Sequence, residues 1–211
     1  MTQVKTIWKT PDAEYLLAFM ARVSNPHNQN NNESAPKLLR YLIKHKHWSP
    51  FEMVSVCMEI KTTRDIARQI LRHRSFSFQE FSQRYAVADE FETSEPRLQD
   101  EKNRQNSIPV EDRELYKWWE DRQTDVLVEA KRAYAEALNN GIAKEVARKV
   151  LPEGLTMSNM YMSGTLRSWL HYVDIRCGPE TQKEHRDVAL LCKAELEKYF
   201  PNVMEAFNGT Q

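Results

Sequence analysis

Apolar and polar positions along the chain alternate between two periods. In "PDAEYLLAFMARVS", residues 11–24, Tyr15, Leu16, Phe19 and Met20 recur at helical spacing behind a proline and two acids, which predicts an amphipathic helix. The polar stretch "NPHNQNNNES", residues 25–34, reads as a link, and Pro36 then opens a second helix through "KLLRYLIKHK". Over residues 51–62, Val54, Val56, Met58 and Ile60 alternate with Met53, Ser55, Cys57 and Glu59, the period of a strand with one buried face. Thr63 is placed to cap a following helix, "RDIARQILRHR", whose Ile66, Ala67, Ile70 and Leu71 return at helical spacing.

Residues 87–109 turn acidic and polar, carry two prolines and show no period, so an exposed excursion is expected there. Helical spacing resumes from Val110 and stops at Asn139-Asn140-Gly141. A short helix ending near Pro152, a strand over 155–163, a helix over 165–176 and a last helix over about 180–199, stopped by Pro201, complete the pattern. In the helix over 165–176, Leu166, Trp169, Leu170 and Val173 share one face, with Arg167, His171 and Asp174 elsewhere. The sum is one α+β domain over residues 1–211, with helices outnumbering strands.

Composition narrows the functional classes. The 211 residues carry 30 basic and 30 acidic side chains, so no global field draws the chain to nucleic acid or an anionic membrane. The chain has neither a long apolar span nor a signal-like N-terminus, which sets the expectation of a cytoplasmic protein. Cys57, Cys177 and Cys192 have no CxxC spacing, which argues against a disulfide framework or zinc site and favours small buried side chains. With five glycines and neither GxGxxG nor GxxxxGK[ST], phosphates would have to be held by side chains.

The densest chemistry lies in "RHRSFSFQEFSQRY", residues 72–85, where Arg72, Arg74 and Arg84 bracket one acid, Glu80. Arginine offers a rigid fork of donors suited to phosphate and carboxylate. The interleaved Phe76, Phe78, Phe81 and Tyr85 would leave an apolar patch if all were exposed, so an extended segment with one side turned inward is expected. The same ribbon suits single-stranded nucleic acid, with bases stacked on rings, but the neutral charge and the lack of a second such cluster favour a small phosphorylated, planar ligand. His45 and His47 in "KHKHWSPFE" read better as hydrogen-bonding groups than as metal ligands, and no HExxH motif occurs. Ser82 lies outside any GxSxG turn, so nucleophilic catalysis is poorly supported.

Arg72-His73-Arg74, seven residues and then Ser82 resembles the RHRx7S signature of flavin-dependent thymidylate synthases. "ARVSN" at 21–25, "HKHWSPFE" at 45–52, "ARQILRHR" at 67–74, "QEFSQRY" at 79–85, "EVARKVLP" at 145–152 and "LRSWLHYVDIR" at 166–176 resemble further blocks of that family in the same order. The resemblance implies reductive methylation of dUMP to dTMP with FAD, methylenetetrahydrofolate and NADPH, without a cysteine nucleophile. It also implies a fold of helices around a central, mainly antiparallel sheet, and a homotetramer whose sites are shared between subunits.

Carried onto this sequence, the resemblance places Gln69, Arg72, Glu80, Phe81, Ser82, Gln83, Arg84, Arg148 and Arg176 around dUMP, with Arg84 and Arg148 toward its phosphate. It assigns Ser24, His47, Ser49, Glu52, Arg72, His73, Arg74, Glu80, Thr165, Arg167 and His171 to FAD. Arg176 matches the activating residue, a cation that stabilises negative charge in the uracil ring. From residue type alone Arg176 reads as a helix C-terminal arginine favoured by the dipole. The chain departs from many members at Gln79, where they carry asparagine, and at Glu180, where they carry histidine.

Overall fold

The computed structural model describes residues 2–209. Four strands, β1 (Gln3–Lys9), β2 (Ser55–Thr63), β3 (Ser77–Glu80) and β6 (Met157–Thr165), form one sheet in the order β1-β2-β6-β3, with every neighbouring pair antiparallel. The predicted alternation in β2 holds: Val56, Met58 and Ile60 are buried and pair in register with Gly164, Met162 and Met160 of β6. The opposite face is polar, where Glu59 accepts hydrogen bonds from Asn159 (2.8 Å) and Tyr161 (3.3 Å). One apolar and one wet face is the usual economy of an antiparallel sheet.

Helices α1 (Ala13–Ala21), α2 (Ala35–Lys44), α3 (Arg64–Ile70), α6 (Leu166–Arg176), α7 (Lys183–Tyr199) and α8 (Pro201–Asn208) contribute to the core with the inner face of the sheet. Strand β1, which the sequence pattern did not predict, is an edge whose Thr6 N–H donates to Glu195 of α7 at 2.9 Å. The buried stripe of α1 is Ala13, Leu17 and Ala18, while the expected Tyr15, Leu16, Phe19 and Met20 are half-buried. Pro201 ends α7 as expected, and it also opens α8 at a position where its missing N–H costs nothing.

The excursion at 87–109 is more ordered than its composition implies. It forms a hairpin, β4 (Arg97–Gln99) with β5 (Ser107–Pro109), and is tied to the long helix α4 (Arg113–Asn139). Gln123 of α4 accepts from the Ser94 N–H (2.8 Å) and donates to the Ser94 carbonyl (2.9 Å). Helix α4 stops as predicted, with Gly141 at a φ of 78°. The short helix that follows is α5 (Lys144–Ala147), continued by a 3-10 turn at Arg148–Val150.

An aromatic wall joins the sheet to α6. Phe76 meets Trp169 edge-on at 4.9 Å between centroids, Trp169 meets Tyr172 at 5.9 Å, and the indole N–H donates to the Val56 carbonyl at 3.1 Å. Gly164 lies beneath this wall, and a Cβ there would stand 2.5 Å from a carbon of the Phe76 ring. The ring is packed against Phe78, Trp169 and Tyr172, which oppose its withdrawal. Gly164→Ala is therefore expected to destabilise the fold by about 1–3 kcal/mol, read as a lower urea midpoint with an unchanged slope. A wild-type midpoint would contradict this packing.

Candidate functional site

The 72–85 ribbon leaves the end of α3, turns, and enters the edge strand β3. As expected for an extended segment, Phe76 is buried and Phe78 half-buried, both toward the core, so neither is free as a stacking platform. Phe81 and Tyr85 differ and remain exposed, Tyr85 by 78%. Ser168 of α6 donates to the Ser75 carbonyl at 3.3 Å and pins the ribbon to that helix.

At the junction of α3, α6 and α7, the half-buried Arg176 donates from Nε to Nε2 of His73 at 3.0 Å. A guanidinium has only donors, so His73 Nε2 must present a lone pair and the ring is neutral, with its proton on Nδ1. Burial first, then the charges of Arg176 and His171, push the His73 pKa down to about 4. Fully buried His185 of α7 lies 6.3 Å from the His73 ring and is also pushed down to about 4, by burial and then by Arg176 and His73. Tyr172 packs edge-on against His73 at 5.0 Å between centroids, and burial raises its phenol well above the usual value. Gln69 approaches His185 Nδ1 at 3.3 Å. The junction thus brings together Gln69, His73, His171 and Arg176 of the predicted set.

A second cluster forms around Glu80. In register with Met160, Glu80 shares the inner face with Phe78, accepts from Ser158 at 2.7 Å and lies 3.7 Å from both Arg64 and Arg68. Its ion partners are these two helix arginines, each also paired with Glu153, rather than the ribbon arginines that bracket it in sequence. Nearby Gln83 is buried, with no hydrogen-bond partner for its Nε2 among the described residues.

Arg84 pairs with Glu145 at 3.1 Å, and Lys144 donates to the Tyr85 carbonyl at 3.0 Å. These contacts bring the end of the ribbon beside the turn that carries Arg148. Arg167 pairs with Glu52, and Thr165 accepts the Ser168 N–H at 3.3 Å as the N-cap of α6. His47 packs edge-on against Tyr41 at 5.8 Å, Ser49 begins a 3-10 turn, and Ser24 is exposed. Arg22 holds the loop behind Ser24 by donating to Ser34 at 2.8 Å. Among the described residues, Arg72, Arg74 and Arg148 make no side-chain hydrogen bond or ion pair, and Arg72 and Arg74 are exposed.

Residue patterns did not single out Arg64, Arg68, Glu153, Gln182, Glu184 or His185. The available signal for His185 was a polar residue on the apolar stripe completed by Val188, Ala189, Cys192 and Leu196. A cleft of about 1060 Å³ lies between the 92–97 segment, α4 and α7, and Gln182 on its wall is hydrogen-bonded to Gln69 of the junction. Of the predicted residues, Ser24, Arg72, Arg74, Phe81, Ser82, Arg84 and His171 are exposed or half-exposed on a single chain, while Gln83 is buried and Glu80 is turned inward. Among the described residues no group of three or more His, Cys, Asp or Glu is placed to hold a metal ion. No described helix is long and apolar enough to cross a membrane.

The family described as "Thymidylate synthase complementing protein" matches residues 5–202. The chain is 51% identical over 193 residues to the "Flavin-dependent thymidylate synthase" of Synechocystis sp., covering 92% of this chain and 88% of that one. It is 49% identical over 199 residues to a protein of Paramecium bursaria Chlorella virus 1 named "Probable flavin-dependent thymidylate synthase", covering 93% and 91%. Among solved structures, a UMP/dUMP methylase from Streptomyces cacaoi, bound with 5-Br dUMP, superposes with a TM-score of 0.89 at 26% identity, covering 99% of this chain and 95% of that one. By the family match and these relatives, the chain belongs to the flavin-dependent thymidylate synthase family.

Proposed function

We propose that the protein methylates dUMP reductively to dTMP, with FAD as cofactor, methylenetetrahydrofolate as carbon donor and NADPH as reductant. The balance is one methylene group plus two reducing equivalents: dUMP, methylenetetrahydrofolate, NADPH and a proton give dTMP, tetrahydrofolate and NADP⁺. The observation that carries the proposal is Arg176, held at Nε by neutral His73 so that its terminal nitrogens are left to a ligand. Hydrogen-bonded to the uracil ring, this cation stabilises the negative charge that makes C5 nucleophilic. No covalent enzyme adduct is then required.

The chain's donors fit both ligands. Arg84 pairs with Glu145, three residues before Arg148, and on this reading both arginines hold the nucleotide phosphate, while the exposed guanidinia of Arg72 and Arg74 suit a dinucleotide's phosphates in a chain without a glycine-rich loop. When bound, FAD supplies hydride from its reduced form. His47, Ser49 and the Arg167–Glu52 pair belong to the flavin side on this reading, with Ser24 and His171. The outward-facing site supports a homotetramer in which neighbouring subunits complete each other's sites within one catalytic domain.

The cysteines support a mechanism without a thiolate. Cys57 and Cys192 are buried and Cys177 is half-buried, and burial raises all three thiols above the ordinary value. Alanine at each of the three is expected to keep dTMP formation near wild type; an inactive, folded single variant would revive covalent catalysis. Arg176→Ala is expected to cut kcat by a factor of about 10² or more while the purified protein keeps its oxidised-flavin absorption. Near-normal turnover would remove Arg176 from the chemistry.

Folding lowers the pKa of His73 and of His185 from 6.5 to about 4, so it favours their neutral forms. Their contribution to stability is fully present above the unfolded value and is lost as pH falls from 6.5 toward about 4, because the unfolded chain binds more protons there. Urea unfolding against pH is expected to show stability falling across that window, with a shallower fall in His185→Leu. Equal slopes in both proteins would show that His185 is not held neutral.

A further inference from the structure

The orientation of Gln69 is decided by donor and acceptor bookkeeping that begins at a carboxylate. Glu184, near the start of α7, lies 2.6 Å from Arg97 of the hairpin. Burial works against its ionisation, but its own backbone N–H, Arg97 and Gln182 outweigh that and lower its pKa. An ionised carboxylate only accepts, so the Gln182 group 3.0 Å from Glu184 Oε2 must be the amide NH₂. The oxygen of Gln182 is then the atom that meets Gln69, at 2.7 Å. That contact fixes the Gln69 NH₂ toward Gln182 and turns its oxygen to His185 Nδ1 at 3.3 Å. His185 must donate from Nδ1, which leaves its Nε2 bare, and that buried atom indeed has no partner among the described residues.

We propose that this one-way relay, Arg97–Glu184–Gln182–Gln69–His185, fixes which end of the Gln69 amide faces the substrate, and that Gln182 and His185 are positioning residues for nucleotide binding. An amide free to turn by half a rotation would offer the wrong atom half the time. Here each link admits one assignment, leaving Gln69 one N–H and one oxygen lone pair for the ligand. The relay also connects the hairpin of the 87–109 segment to the junction that holds Arg176. It rests on the dUMP-binding reading of Gln69 given above.

The test is the dissociation constant of dUMP, measured by flavin absorbance on the FAD-loaded enzyme. Gln69→Ala is expected to weaken binding about tenfold, the scale of one or two neutral hydrogen bonds. His185→Leu and Gln182→Leu are expected to weaken it about three- to tenfold each, and neither to weaken it further in the Gln69→Ala background. His185→Asn keeps a donor at the Nδ1 position and is expected to bind dUMP within about twofold of wild type. Nitrogen NMR of the labelled protein should find His185 as the Nδ1–H tautomer.

Additive losses in the double variants, or an Nε2–H tautomer, would overturn the relay while leaving the dUMP site intact. Wild-type binding by Gln69→Ala would overturn it by removing Gln69 from the ligand. A flavin-loaded wild type with no saturable dUMP binding would overturn the proposed function itself. Gln182 is exposed, so Gln182→Leu decides the matter if His185→Leu fails to fold.

Discussion

A single arginine that must find a neutral acceptor sets the terms for the centre of this molecule. Arg176 can only donate, and the group within 3.0 Å of its Nε is an imidazole rather than a carboxylate. A carboxylate there would neutralise the cation and compete with an electron-rich ligand. A neutral imidazole holds the guanidinium in place while leaving its full charge available. That arrangement works only if His73 resists protonation, and the surroundings that ensure this are much of the core. Tyr172 closes one side of His73, Tyr172 packs on Trp169, Trp169 is hydrogen-bonded to β2, and Phe76 covers Gly164 of β6. The sheet and α6 thus supply the low-dielectric wall that keeps the histidine neutral.

Much of that wall is written plainly in the sequence. Val56, Met58 and Ile60 alternate because one face of β2 is buried and the other wet, and the face of α6 follows from Leu166, Trp169, Leu170 and Val173. What failed to show has physical causes. Strand β1 carries Lys5, Thr6 and Lys9 because it is an edge, half covered by α7, with its Thr6 N–H taken by Glu195. In α1 the buried stripe runs through alanines, which large-residue periodicity passes over. The hairpin at 97–109 has strands of three residues each, too short for any period, and its attachment depends on Gln123 and Arg97, residues that look like surface.

The site was legible as a set of donors but not as a set of pairs. Proximity in sequence suggests that Glu80 neutralises Arg72, Arg74 or Arg84. Strand geometry forbids it, since alternation puts Glu80 on the inner face with Phe78, where Arg64 and Arg68 arrive from α3. The family resemblance carried Arg176 and His73 into the site, whereas residue type alone gave a helix-terminal arginine and nothing for His185. A buried histidine on an apolar stripe carries no sign of what it faces until α7 is packed against α3.

The placement of the acids explains how a chain with no net charge keeps a cationic surface. Glu80 is drawn inward to Arg64 and Arg68, Glu52 is engaged by Arg167, and Glu184 by Arg97, so these carboxylates are already occupied. Among the described residues, Arg72, Arg74 and Arg148 are left without an internal counter-charge, and anions from outside are the natural partners. Within the described residues, Arg84 is the ribbon arginine with a counter-ion, Glu145, and both side chains are more than half exposed. A pair of that kind is worth about 0–1 kcal/mol, screened by salt and opposed by side-chain entropy. A phosphate offers the same guanidinium a doubly hydrogen-bonded, more highly charged acceptor. On the proposed reading, in which Arg84 holds the nucleotide phosphate, exchange of Glu145 for that phosphate is therefore downhill for Arg84.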